Sequence, residues 1–166
     1  MVALGGNLAG DYPSSEALLE AALARLGEAG LPALRRSRWW RSAAWPDPTG
    51  PEYRNGVALV AAEAGPEEVL ARLLRVEADF ARRRETRNAP RTLDLDLIAY
   101  GRCVIDAPGL VVPHPRAHDR LFVMGPLAEI APGWRHPVLG RTAAELAREA
   151  SVGTDAVPLS LRSGER

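Results

Sequence analysis

The chain has 166 residues, of which 46% are hydrophobic and 25% charged. That is the composition of one globular domain with room for a core, and it excludes a disordered segment. Its 21 basic and 21 acidic residues cancel, and because the sequence holds no lysine every basic residue is arginine, which excludes a phosphate-cradling or Schiff-base lysine and gives no overall charge for nucleic acid or a membrane surface.

The single cysteine, Cys103, excludes internal disulfides and zinc sites built on several thiolates. The start, Met1 to Asp11, has neither the basic nor the apolar region of a signal peptide, and no run of about 18 apolar residues offers a membrane span. The expectation is a cytoplasmic protein with one domain over residues 1–150 and a loosely ordered tail from Ser151 to Arg166.

In chain order, Val2-Ala3-Leu4 reads as a strand ending in the turn Gly5-Gly6-Asn7. A helix is predicted over 14–28, where Leu18, Leu19, Ala22, Leu23 and Leu26 form one stripe, Ser14 or Ser15 caps the start and Gly30 ends it. Residues 34–45 carry Trp39, Trp40 and Trp45 and read as an edge strand, followed by a Pro/Gly loop at 46–51. Asn55 to Glu63 reads as a strand. Gly65-Pro66 opens a second helix with the stripe Val69, Leu70, Leu73, Val76 and Phe80. Residues 82–91 have no apolar period and read as a loop. Thr92 to Tyr100 gives the clearest strand, Gly101-Arg102 a turn, and Cys103-Val104-Ile105 the returning arm of a hairpin, with Cys103 a small buried residue. Val112-Pro113-His114-Pro115 leads into a short helical stretch near 116–131, and Thr142-Ala143-Ala144-Glu145 is a capping box opening the last helix. Interspersed helices and strands with an antiparallel hairpin make the fold class α+β.

The sharpest chemical feature is Arg91-Thr92-Leu93-Asp94-Leu95-Asp96. Residues two apart in a strand share a face, roughly 6.5–7 Å from one another, so Asp94 and Asp96 face one way and the leucines the other. Two unpartnered carboxylates repel, and a hard divalent cation removes that cost; oxygen ligands suit Mg²⁺, which takes one or two carboxylates plus substrate phosphates. A solvated polar strand face is the plainer alternative. The adjoining loop holds five arginines within residues 82–91 (Arg82, Arg83, Arg84, Arg87 and Arg91). Carboxylates beside arginines suit phosphoryl transfer, while a nucleic-acid patch or a solvated surface is the alternative. Glu77 falls in or beside the second helix's apolar stripe, either paired with an arginine or facing the site. Trp45 and Tyr53 flank the Pro/Gly loop, where a flat heterocycle could stack, and the Asn55 amide suits the edge of a nitrogen heterocycle. His114, between two prolines, is either an aimed imidazole or a structural histidine. A non-catalytic nucleotide- or RNA-binding module and a metal-dependent nuclease or nucleotidyl transferase remain as competing functions.

Taken together these segments resemble the 6-hydroxymethyl-7,8-dihydropterin pyrophosphokinase family. The resemblance runs from Ala3 to about Ala150 and rests on Ala3-Leu4-Gly5-Gly6-Asn7-Leu8, Tyr53-Arg54-Asn55, Glu77 with Arg82, Ala89-Pro90-Arg91-Thr92-Leu93-Asp94-Leu95-Asp96, Val112-Pro113-His114-Pro115 through Arg120 and Phe122, and Pro126-Leu127-Ala128-Glu129-Ile130-Ala131-Pro132. It implies a ferredoxin-like sandwich, a mostly antiparallel sheet between helices. It implies transfer of pyrophosphate from ATP to the pterin hydroxymethyl oxygen in folate biosynthesis, releasing AMP. Asp94 and Asp96 would hold two Mg²⁺ ions and, with Arg82 and Arg91, form the catalytic set. Glu77, Arg82, Arg84, Arg91, Ile98, His114 and Arg120 would bind ATP, and Ser42, Trp45, Tyr53, Asn55 and Phe122 would bind the pterin. The implied partners are these small molecules, with no nucleic acid, no membrane and a monomeric state.

Overall fold

The computed structural model describes residues 1–44, 47–81 and 93–160. Strand β1 (Val2–Gly6) leads to helix α1 (Ser15–Glu28), whose cap is Ser14: its hydroxyl accepts the Ala17 N–H at 3.0 Å, satisfying one of the amides a helix start leaves free. Two short strands follow, β2 (Ala33–Arg36) and β3 (Trp40–Ser42), then β4 (Tyr53–Val60), helix α2 (Pro66–Ala81) and β5 (Asp94–Leu97). A hairpin of β6 (Ile105–Ala107) and β7 (Leu110–Val112) leads through a 3-10 turn at Ala117–Asp119 to α3 (Leu121–Ile130), α4 (Ala143–Glu149) and β8 (Val157–Pro158).

The main sheet runs in the order β5-β1-β4-β3-β8, with β2 also paired to β4, and every pairing of its strands is antiparallel. Alternation along the strands supplies two cores. Val2, Leu4, Ala58, Leu93, Leu95 and Leu97 meet Leu18, Leu19, Ala22 and Leu26 of α1 and Val69, Leu73 and Val76 of α2. On the other face Ala3, Val57 and Ile98 meet Val123, Met124 and Leu127 of α3 and Leu146 of α4. A sheet between two helical layers in this order is the ferredoxin-like α+β sandwich.

The edge strand expected over 34–45 is two strands, and Ser37 is the reason. Its buried hydroxyl accepts the Val57 N–H at 3.0 Å and donates to the Arg38 carbonyl at 2.7 Å, so a side chain stands in the ladder there. Trp39 and Trp40 then go to opposite faces. Trp39 lies on Gly56, where a Cβ would fall 2.6 Å from the ring, and its indole donates to Glu20 at 2.9 Å. Trp40 lies on Gly125 of α3 and donates to Glu129 at 2.8 Å. β4 starts earlier than expected because Tyr53 and Arg54 pair with Ser42 and Arg41, and Ala61 leaves the ladder to donate to the Pro32 carbonyl at 2.9 Å.

Two further expectations are corrected. Ile105 does not return along the Asp94–Leu97 strand: β6 pairs with β7, and Cys103 is exposed in the preceding turn, not buried. At the outer edge of β5 the Leu95 N–H donates to the Glu77 carboxylate at 2.6 Å, and the chain beyond the turn pairs with its own continuation. The segment from Ser151 is not loose where it is described. Val152 bridges Arg120, Val157 and Pro158 pair with Arg41 and Trp40, and the Leu159 N–H donates to the Trp39 carbonyl at 2.8 Å.

Candidate active site

Helices α3 and α4 cover only part of their face of the sheet. The remainder is the floor of a cavity of about 860 Å³. In the register of the sheet, Gly5 of β1 lies opposite Asp94 on one side and opposite Asn55 on the other. Asp94 and Asp96 are two apart and face this cavity, as the strand period requires, while Leu93, Leu95 and Leu97 fill the opposite core. Asp94 is half-buried and Asp96 exposed. Asn55 and Tyr53, two apart on β4, and Ser42, opposite Tyr53 on β3, continue the same floor. A Cβ at Gly5 would sit 2.5 Å from the Asn55 amide oxygen; the glycine is what lets the amide lie across β1 towards the aspartates.

The N-terminus of α3 forms one wall. Arg120 precedes the helix and Phe122 lies in its first turn, with the guanidinium 5.8 Å from the ring centroid, within cation–π range. His114 stands beside this wall. Its N–H donates to the Ile98 carbonyl at 2.8 Å and its Nδ1 accepts the Arg116 N–H at 3.1 Å. Burial holds the imidazole below its ordinary pKa; the Asp96 charge pulls the other way, and Arg120 and Arg116 reinforce the lowering. Neutral His114 therefore carries its proton on Nε2, because Nδ1 is already an acceptor.

Seven sequence-predicted residues thus meet in one cavity: Ser42, Tyr53, Asn55, Asp94, Asp96, Arg120 and Phe122. His114 acts electrostatically beside them. Ile98 is buried in the α3-side core, and its carbonyl fixes His114. Glu77 closes the edge of β5 rather than lining the cavity. Trp45, Arg82, Arg84 and Arg91 lie outside the described residues.

Sequence reasoning missed the segment that continues the α3 wall. Ser151, Val152, Gly153, Thr154 and Asp155 line the cavity, and the Ala43 N–H donates to the Asp155 carboxylate at 2.7 Å. No local pattern signals this, because the contacts join residues far apart in the chain, Ala43 to Asp155 and Asp119 to Ser151.

Among the described residues no group of three or more His, Cys, Asp or Glu side chains could hold a metal. Asp94 and Asp96 offer two carboxylates, one of them open to solvent. Such a donor set fits a hard cation that takes its other ligands from substrate phosphate and water. The described helices include none long and apolar enough to cross a membrane.

Comparison with known proteins places this geometry in a family. Residues 1–132 match the family model described as 7,8-dihydro-6-hydroxymethylpterin-pyrophosphokinase (HPPK). The chain is 42% identical over 147 residues to a Synechocystis protein named 2-amino-4-hydroxy-6-hydroxymethyldihydropteridine pyrophosphokinase, covering 88% of this chain and 73% of that one. It is 40% identical over 140 residues to the protein of the same name from Pseudomonas aeruginosa, covering 82% of each. It is also 33% identical over 119 residues to folic acid synthesis protein fol1 of Pneumocystis carinii, covering 72% of this chain but 16% of that longer one. With the family match spanning most of its length and the two bacterial relatives aligned over most of theirs, the chain belongs to the 7,8-dihydro-6-hydroxymethylpterin-pyrophosphokinase family.

Proposed function

We propose that the protein transfers a pyrophosphoryl group from ATP to the hydroxymethyl oxygen of 6-hydroxymethyl-7,8-dihydropterin, releasing AMP. The observation that carries the reading is that one cavity joins, across β1, the carboxylates of β5 to the amide and aromatic side chains of β4 and α3, which we read as a phosphate end and a heterocycle end. Asp94 and Asp96 of β5 mark the first; Asn55, Tyr53 and Phe122 mark the second; Gly5 keeps the path between them clear.

In the heterocycle end, Tyr53 and Phe122 supply flat apolar faces for the ring and the Asn55 amide supplies both a donor and an acceptor for its edge. Ser42, buried beside Tyr53, and Trp45, outside the described residues, are assigned to the same ring. At the phosphate end, Asp94 and Asp96 would hold Mg²⁺; the count of two ions rests on the family resemblance. Bound there with ATP, Mg²⁺ supplies charge neutralisation and Lewis-acid polarisation at the phosphates. Arg120 meets phosphate charge from the α3 wall, and the neutral His114 offers its Nε2–H as a donor to the nucleotide. The family assigns Arg82, Arg84 and Arg91 to the phosphates as well, where planar guanidinium forks match the oxygens. Glu77 and Ile98 act behind the site, one holding the Leu95 amide and the other the His114 amide.

The reaction balances as an in-line displacement. The pterin oxygen bonds to the β phosphorus, the bond from that phosphorus to the α–β bridging oxygen breaks, AMP leaves, and the hydroxyl proton passes to water. Positioning and electrostatics carry most of the acceleration in such chemistry. The test is AMP formation from ATP, Mg²⁺ and 6-hydroxymethyl-7,8-dihydropterin, separated from ADP by chromatography. AMP that appears only when the pterin is present, with one pterin diphosphate per AMP, supports the reading. ADP as product, or AMP at the same rate without the pterin, rejects it.

A further inference from the structure

We propose that the segment Ser151–Asp155 is a specificity-determining strap, with Gly153 setting the position of the Phe122 ring and Asp155 fixing the facing loop at Ala43. The proposal rests on the functional reading above and extends it to residues beyond the 1–132 region that the family model matches.

The strap is tied at both ends and lies on the cavity. At its start the Asp119 carboxylate accepts the Ser151 N–H at 2.9 Å and the Ser151 hydroxyl at 2.8 Å, the Val152 N–H donates to the Asp119 carbonyl at 2.9 Å, and the Leu121 N–H donates to the Val152 carbonyl at 2.9 Å. This fastens it to the residues that open α3. At its end Val157 and Pro158 add a strand beside β3. Between these anchors Gly153 adopts φ +67°, and a Cβ there would fall 2.4 Å from Cδ1 and 2.9 Å from Cε1 of Phe122. The bare backbone is thus the back of the Phe122 slot, and any side chain would push the ring into the cavity. Two residues on, the exposed Asp155 carboxylate takes the Ala43 N–H at 2.7 Å, which holds the backbone next to Ser42. The strap therefore spans the cavity from the Phe122 wall to the Ser42–Tyr53 side.

Its position predicts which substrate feels it. The strap joins the sheet at β3, whereas the aspartates lie on β5 at the other edge, with β4 and β1 between them. Altering it at Gly153 or Asp155 acts first on Phe122 and on the backbone beside Ser42, and leaves the Asp94–Asp96 pair in place.

The experiment compares full-length wild type with Gly153→Ala, Asp155→Ala and Asp155→Asn, reading KM for pterin and for ATP by AMP formation, pterin binding without ATP by quenching of tryptophan fluorescence, and Tm. Gly153→Ala should raise the pterin KM and weaken its binding by about tenfold or more, the scale of one methyl group in a fitted pocket, with ATP KM within about twofold. Asp155→Ala should move the same quantities in the same direction, and Asp155→Asn, which keeps an acceptor for the Ala43 amide, should restore them. Asp155 is exposed, so its variants fold even where Gly153→Ala does not. Unchanged pterin binding in Asp155→Ala, or ATP KM rising in step with pterin KM, overturns the strap. Wild type that binds the pterin but makes no AMP overturns the transfer reading instead, and the fluorescence series still decides the strap.

Discussion

Asp96 is the exposed member of the carboxylate pair and Asp94 the half-buried one, so the two differ in what their loss would do. Asp96→Ala removes one oxygen donor from the phosphate end without opening a hole in either core. The expected result is loss of AMP formation by about a thousandfold or more, the several kcal/mol that a metal's charge stabilisation supplies to a transition state, with Tm close to wild type. Substantial turnover with Mg²⁺ in this variant would remove Asp96 from the site. In the proposed function Asn55 is assigned to the other substrate. Asn55→Ala deletes both a donor and an acceptor from the heterocycle's edge and should weaken pterin binding by about ten- to a hundredfold, as expected when a bound polar edge loses its partners. Calorimetry with ATP and with pterin separates this from a general defect, since ATP affinity should stay nearly the same. The pairing of Asp94 with Asp96 was legible from the strand period alone. The placing of Asn55 next to them was not, because it depends on the register that sets Gly5 between β4 and β5, and register is a long-range property.

Elements were legible where their signals are local. The Ser14 cap of α1 and the Thr142 capping box of α4 are both present: the Thr142 hydroxyl accepts the Glu145 N–H at 3.2 Å, and the Glu145 carboxylate accepts the Thr142 N–H at 2.8 Å. Thr142→Ala removes half of that box and should lower stability by about 1 kcal/mol, or Tm by about 2–4 °C for a chain of this size. The KM values should hold, because α4 packs behind α3 rather than on the cavity; a thermal melt with no shift would show that the cap contributes nothing. Elements were not legible where another part of the chain decides them. The break between β2 and β3 comes from a Ser37 hydroxyl reaching Val57. Ile105 pairs with Val112 of β7 rather than with β5, whose Leu95 amide is taken by Glu77 from α2. Gly56 belongs here too. Gly56→Ala would drive a methyl group into Trp39 at 2.6 Å and should cost about 1–3 kcal/mol through overpacking, readable as a lowered urea midpoint.

At the scale of the whole molecule, the neutral composition conceals a polarised interior arrangement: carboxylates on β5, an arginine and a neutral histidine across from them, and a second histidine at the far end of the α3–α4 layer. His136 is buried, and its Nδ1 accepts the Val138 and Leu139 amides at 3.2 and 3.1 Å. Burial lowers its pKa, and the neighbouring His118, 6.0 Å away between ring centroids, lowers it further. His114 is shifted the same way. In both rings Nδ1 is committed as an acceptor, so charging the imidazole means giving up a backbone bond or desolvating a cation. Above the ordinary histidine pKa of about 6.5 both the folded and unfolded chains hold these rings neutral and no stability difference arises. As pH falls below that value the unfolded chain takes up protons first, so stability declines with falling pH until the lower folded-state values are passed. Most carboxylates titrate only below about pH 4.5, which leaves the interval from pH 6.5 down to about 5 to the histidines and to the buried Met1 amine, which desolvation lowers from 8.0 to about 6. Wild-type Tm should therefore fall across that interval. His136→Asn offers an amide oxygen to the same two backbone amides but binds no proton, so its Tm should fall less steeply there. Parallel pH profiles for wild type and variant would place the titrating group elsewhere. A shallower slope in the variant, with the pterin KM unchanged, would place it at the α3–α4 end of the molecule rather than at the active site.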